Sequence, residues 1–347
     1  MKVLPQVCPA IFNCFPDVAN SISNVVLIGA GQLGSRHLQG LTRINCKIRL
    51  TVIDPSPDAL AIAKERYNEM LSNPLIKLVS YQKSNDRFKD DVDLAIIATN
   101  ADVRREVIET LIYHTRVRFL ILEKVAFQSV TDFKEVSALL AEKSIKAWVN
   151  CTRRMVFFFQ ELKKRTILSS KVILVMEGSN WGLASNAIHM LDLLAFLTDQ
   201  TMFQIDASNL KPQVYESKRK GFIELGGELR GESQRGDCLT LIDRRDAKMP
   251  LKMWICFSGV VIKIDQAKGL ALEYPENRRE QVKEQSFHFP QQSELTSIQA
   301  QEILQTGNSQ LTTIEESYLL HKPMLEAFNR HVHGIQNEQV QGVCPIT

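Results

Sequence analysis

Val25-Val26-Leu27-Ile28-Gly29-Ala30-Gly31-Gln32-Leu33-Gly34 decides how this chain is read. Four apolar residues lead into glycines spaced G-x-G-x-x-G. A short, fully apolar run is the pattern of a strand buried on both faces of a parallel sheet. The first glycine permits a tight turn, the second lets backbone approach a pyrophosphate, and the third lets helix and strand pack closely. Residues 35–42 read as the following helix, whose positive end then meets the phosphates. Ile48-Arg49-Leu50-Thr51-Val52-Ile53-Asp54 reads as the next strand, closed by an acid. Asp54 lies 20 residues after Gly34, where a carboxylate can accept hydrogen bonds from adenosine ribose hydroxyls. Gly29, Ala30, Gly31, Gln32, Leu33, Gly34 and Asp54 are therefore expected to bind a dinucleotide. The carboxylate repels a 2′-phosphate and Pro55-Ser56 supply no arginine to offset it, so NAD is favoured over NADP.

Outward from this turn, strand and helix keep alternating. Residues 57–71 are helical in pattern, 92–99 an apolar strand, 102–113 a helix, 119–124 a strand, 131–143 a helix and 146–149 a strand. This is the pattern of an α/β doubly wound parallel sheet. The pattern then changes. Helices are expected at 157–164 and 187–197 around a strand at 171–177. Runs with alternating apolar and polar residues follow at 213–216, 222–225, 238–242, 251–257 and 260–264, as in an antiparallel sheet with one solvated face. Helices return at 293–305 and 313–331. The chain is thus divided into an N-terminal extension (1–23), a nucleotide-binding domain (24–152) and a second α/β domain with an open, mostly antiparallel sheet (153–347).

Composition sets bounds. A chain of 347 residues exceeds one ordinary core, and 44% hydrophobic with 23% charged residues is an ordinary globular mix. The formal charge is +3, and the short basic clusters 163–165 and 218–220 have no interleaved aromatics, so nucleic acid is not an expected partner. No apolar run approaches the ~20 residues that span a bilayer. Seven cysteines are scattered without C-x-x-C spacing, which argues for reduced thiols in the cytoplasm and offers no metal site.

Three further places can carry chemistry. Thr99-Asn100 ends an apolar strand, where ligands bind in open α/β sheets; a strand-to-helix turn with Asn or Asp as cap reads equally well. Lys124 follows Phe119-Leu120-Ile121-Leu122-Glu123 and so stands at the carboxyl end of a central strand, beside the cofactor crevice. His189 sits on an amphipathic helix with Ser185, Asn186 and Asp192 at helical spacing. A carboxylate within reach can orient a histidine for proton transfer.

The run "VVLIGAGQLGSRHLQGL", Asp54, "AIIATN", "LILEKV", "NCTRRM", "NAIHMLDLLAFL" and "LTTIEESYLLHKPMLEAFNRH", in this order, resembles the Gfo/Idh/MocA oxidoreductases. The likeness runs from Asn24 to His331. It implies a Rossmann domain followed by a domain whose open sheet often forms a homodimer or homotetramer interface. It implies an NAD-dependent dehydrogenase or reductase acting on a sugar, cyclitol or nucleotide-linked sugar. Glu123-Lys124-Val125 corresponds to the family's Glu-Lys-Pro, which places Glu123 and Lys124 at the cofactor and makes Lys124 the catalytic lysine. His189 corresponds to the catalytic histidine, with Asp192 beside it. Asn150 and Arg154 resemble an Asn-x-x-Arg region lining the substrate cleft, and read also as a cap and a surface cation. Trp181, Ser185 and Asn186 are placed at the same cleft. Two departures stand out. Val125 replaces a proline that often takes a cis bond, which other residues disfavour, so the backbone near Lys124 is expected to differ. Ser185 replaces an acid four residues before the histidine, and a hydroxyl holds no negative charge. These departures keep a second expectation in play, a NAD-binding regulatory or scaffold protein without turnover.

Overall fold

The computed structural model describes residues 21–84, 90–245, 247–275, 281–336 and 342–347. The expected N-terminal extension lies outside the described residues except for its last three, and Ser23 already opens the first strand. From there strands and helices alternate: β1 (Ser23–Ile28), α1 (Gln32–Leu41), β2 (Ile48–Ile53), α2 (Pro57–Asn68), β3 (Ile76–Gln82), β4 (Val92–Ile97), α3 (Arg104–His114), β5 (Val117–Leu122), α4 (Val130–Glu142) and β6 (Lys146–Val149). The six strands run parallel in the order β3-β2-β1-β4-β5-β6. The winding reverses between β1 and β4, so their carboxyl ends open a crevice. β1, β4 and β5 are almost wholly apolar because both faces of the sheet are covered. Local signals set the helix starts: Ser56 accepts from the Ala59 N–H ahead of Pro57, and Ser129 accepts from the N–H groups of Thr131 and Asp132.

A 3₁₀ turn (Thr152–Met155) then leads to α5 (Phe157–Thr166), β7 (Val172–Gly178), α6 (Leu183–Thr198), β8 (Phe203–Asp206), β9 (Leu210–Glu216), β10 (Ile223–Ser233), β11 (Cys238–Asp243), β12 (Lys252–Phe257), β13 (Val260–Asp265), β14 (Leu270–Pro275) and β15 (Lys283–Ser286). These strands form a nine-stranded sheet ordered β15-β14-β13-β12-β7-β11-β10-β8, with β9 also on β10. Only its β7–β11 pair is parallel. β7, β11 and β12 bury every second residue, as strands with one covered face must. α6 covers that face. Leu191, Leu193, Leu194 and Leu197 on it are all at most 1% exposed, each burial contributing about 1.5–3 kcal/mol.

The chain then returns to the first sheet. α7 (Gln292–Thr306) packs on α1, and β16 (Thr312–Thr313) pairs antiparallel with β6 before α8 (Ile314–Gln336). Residues 292–313, assigned from sequence to the second domain, thus complete the first domain's sheet and helical layer. The last residues lace the two domains together. Gln128 O accepts from the Cys344 N–H at 2.9 Å, and the Gln128 amide donates to Ile346 O at 3.0 Å. Pro345 O accepts from the Ile223 N–H at 2.9 Å, and the Thr347 hydroxyl accepts from the Ala101 N–H at 2.9 Å. No helix among the described residues is long and apolar enough to cross a membrane.

Candidate active site

The glycine turn has the shape its sequence requires. Gly29 has φ +94°, and a Cβ there would lie 2.7 Å from the Ala98 carbonyl carbon. Gly31 is the N-cap of α1 with no side chain capping it, and nothing lies within 4 Å of where its Cβ would be. Uncapped first-turn N–H groups beside open space suit a pyrophosphate. Asp54 holds the turn from the next strand, accepting from the Ala30 N–H at 2.7 Å and the Ser56 N–H at 2.8 Å. Each carboxylate oxygen keeps a lone pair for a ribose hydroxyl. Opposite Gly29, the Thr99 hydroxyl oxygen is buried without a partner, and Asn100 is exposed. α3 is capped by Val103, so the reading of an Asn or Asp as its cap is corrected. These residues fit a dinucleotide. Sequence reading missed Arg66, which reaches back from α2 to donate to the Gln32 side chain at 2.9 Å and to the Ser35 hydroxyl.

Lys124 follows β5 at the crevice. Its ammonium donates to Ser185 O at 3.2 Å and to Asn186 Oδ1 at 3.3 Å, at the start of α6. Burial lowers its pKa; Glu123 opposes the shift and Arg219 adds to it. The Lys124–Val125 peptide bond is cis, so the expected departure of this backbone from the family's is corrected. Two residues that sequence reading missed hold this loop. Arg104, 1% exposed, donates to the carbonyls of Val125, Ala126 and Thr99. His321 of α8 accepts from the Ala126 N–H at 3.2 Å. Glu123 is buried beneath, accepting from His37 at 2.8 Å and from the Asn150 amide. Burial disfavours its charge, but His37 and Asn150 outweigh that and hold its pKa below the usual carboxylate range. Asn150 is 2% exposed and also bonds Gln292 and Gln299, so its expected place in the cleft wall is corrected to a buried network.

The histidine's surroundings also differ from expectation. Asp192 is fully buried and its carboxylate is taken by Arg154, through Nε at 2.9 and 3.0 Å, and by the Thr312 hydroxyl. Arg154 also binds Glu316 at 2.7 Å. Arg154 is therefore the counter-ion of Asp192 and not a cleft residue, while His189 Nδ1 is buried without a partner. Burial, with Arg153 and Lys124 adding, pushes the His189 pKa well below its ordinary value. Its surroundings thus favour the neutral imidazole.

Trp181, Gly182, Ser185 and Asn186 line a cleft of about 400 Å³ with Lys124. The Trp181 indole donates to Ile242 O at 2.9 Å, and the Asn186 amide donates to Trp181 O at 2.9 Å. Gly182 adopts φ +77° and gives room to Glu224, whose Oε1 would lie 2.9 Å from a Cβ there. Glu224, on β10, accepts from the Ser185 hydroxyl and from the Ala184 N–H at 3.0 Å. The cleft thus holds a carboxylate beside Ser185, supplied by the sheet that α6 covers. Burial raises the Glu224 pKa, against these hydrogen bonds.

A family profile described as "Oxidoreductase family, NAD-binding Rossmann fold" (GFO_IDH_MocA) matches residues 23–151. No curated protein matches the chain by sequence. An oxidoreductase from Agrobacterium radiobacter, in complex with NAD+, L-tartaric acid and magnesium, superposes with TM-score 0.68 at 15% identity, over 90% of this chain and 97% of its own. A scyllo-inositol dehydrogenase from Lactobacillus casei, with NAD(H) and scyllo-inositol bound, gives TM-score 0.62 at 15% identity, over 89% and 98%. The super-repressor mutant of Gal80p from Saccharomyces cerevisiae gives 0.68 at 11% identity, over 90% and 97%. At these identities the likeness is one of fold. Residues 23–151 match the NAD-binding domain of the Gfo/Idh/MocA oxidoreductases, and the whole chain has the fold of those proteins.

Proposed function

We propose that this chain is an NAD-dependent oxidoreductase acting on a secondary alcohol or ketone of a sugar, cyclitol or nucleotide-linked sugar. The observation that carries this reading is the position of Lys124, a half-buried ammonium at the crevice with two of its three N–H bonds accounted for. Residues 29–34 and Asp54 would hold the dinucleotide, which supplies the hydride donor or acceptor when bound. The remaining N–H of Lys124 is available to the substrate oxygen. Its lowered proton affinity suits it both to polarise a carbonyl and to exchange a proton with the alcohol. His189, whose protonated form burial disfavours, would pass that proton on rather than keep it. Asn186 and Ser185 O fix where the ammonium sits.

Lys124→Met is the test. NADH affinity should stay nearly that of the wild type, while turnover across a panel of polyols, sugars and nucleotide sugars falls by about 10²-fold or more. Unchanged turnover would remove Lys124 from the chemistry. A second reading, a NAD-binding regulator without turnover, is favoured by one observation: Asp192 is spent on Arg154, and His189 Nδ1 has no partner. It requires tight NADH binding, no hydride transfer with any panel member, and indifference to Lys124→Met.

A further inference from the structure

The outer part of the cleft carries charge that the proposed reaction does not use. Lys218 and Arg219, between β9 and β10, and Arg245, after β11, line it together with Lys124. Against these four cations stand the carboxylates of Glu216 and Glu224 on the same wall and of Asp243, ion-paired with Arg245 behind it; Glu224 is occupied at the start of α6. Arg245 is positioned with part of its guanidinium unbonded. Its stem passes Gly226, where a Cβ would lie 2.7 Å from Cγ, and its guanidinium stacks 4.5 Å from the centre of the Tyr215 ring. One nitrogen reaches Asn180 at 3.4 Å, and Nε stands 3.7 Å from Asp243. Nε and Nη2 are buried without a hydrogen-bond partner. Among the described residues the side chains of Lys218 and Arg219 have no hydrogen bond or ion pair. Arg219 nevertheless acts on Lys124 electrostatically.

Buried guanidinium N–H groups left unpaired cost free energy that a bound acceptor recovers. A guanidinium fork matches the two oxygens of a carboxylate or phosphate, and a neutral sugar hydroxyl uses it poorly. We propose that Lys218, Arg219 and Arg245 form an anion subsite, and that the substrate of this cleft is a sugar or cyclitol bearing a carboxylate or a phosphate. The substrate half of this inference rests on the reading of the cleft as a carbohydrate site. The subsite itself does not.

The test measures binding, so its failure and that of the redox reading are distinguishable. Inorganic phosphate is titrated by calorimetry into wild type, Arg219→Gln, Arg219→Gln/Arg245→Gln, and Gly31→Asp, which puts a negative charge in the nucleotide turn. Binding should persist in Gly31→Asp and weaken about tenfold or more in the double variant. The exposed Arg219→Gln variant should lose part of the affinity without loss of fold. No binding to wild type, or equal binding to wild type and double variant, overturns the subsite. Glucuronate, glucose 1-phosphate and glucose are then tested for displacement of phosphate. Displacement by glucuronate assigns a carboxylate, displacement by glucose 1-phosphate a phosphate, and displacement by neither, or equally by glucose, overturns the substrate class.

Discussion

Arg154 grips Asp192 through Nε on both carboxylate oxygens, at 2.9 and 3.0 Å, and through Nη2 at 2.8 Å. The pair joins the turn after β6 to the middle of α6, and the Thr312 hydroxyl closes it from β16. Three chain segments distant in sequence meet on one buried charge.

Removing one partner of such a pair leaves the other charge uncompensated. Asp192→Ala should lower stability to urea by about 3–5 kcal/mol, and Arg154→Met/Asp192→Leu should recover most of it. A variant Asp192→Ala as stable as wild type but without turnover would return Asp192 to the chemistry.

The nucleotide turn separates binding from folding. Gly31→Ala meets nothing within 4 Å, so its urea midpoint should stay within about 0.5 kcal/mol of wild type while NADH affinity drops about tenfold or more. Gly34→Ala puts a Cβ 1.7 Å from Gly29 O, and should cost about 1–3 kcal/mol in folding as well. NADH fluorescence titration beside urea denaturation reads both. Undiminished NADH binding by Gly31→Ala would move the pyrophosphate away from this turn.

His321 gives the protein an acid limit. Burial lowers its pKa from 6.5 to about 4, against the Ser317 carbonyl. Between those values the unfolded chain binds a proton that the folded one refuses, so stability is lost as pH falls from about 6.5 towards 4. The full effect is about 3 kcal/mol, and His189 pulls the same way. Urea midpoints across this range should fall less steeply for His321→Gln, whose amide oxygen can still accept from Ala126. Equal slopes would place the acid sensitivity elsewhere.

The first sheet was legible because β1, β4 and β5 are continuous apolar runs, a pattern that local sequence carries. β3 was not: Ile76-Lys77-Leu78-Val79-Ser80-Tyr81-Gln82 lies at the sheet's edge, half exposed, and shows no such run. β16 has two residues and exists only through its pairing with β6. At the site, the glycines, Asp54 and Lys124 announced themselves by position after strands. Glu224, Arg104 and His321 did not, because each reaches the site from a distant element. The partner of Asp192 was hidden for the same reason. Helical spacing put Asp192 on one face with His189, but spacing says nothing of a rival such as Arg154 arriving from another segment.

The lacing by residues 344–347 bears on how the crevice can open. Ala101, beside the nucleotide-facing end of β4, shares a bond with Thr347, and Ile223, which begins the strand of Glu224, shares one with Pro345. Gln128, four residues past Lys124, is held by the same short stretch. Parting the two domains at this corner therefore means breaking either the bond at 223 or those at 101 and 128 together. The cleft behaves there less like a hinge than like a fastened seam.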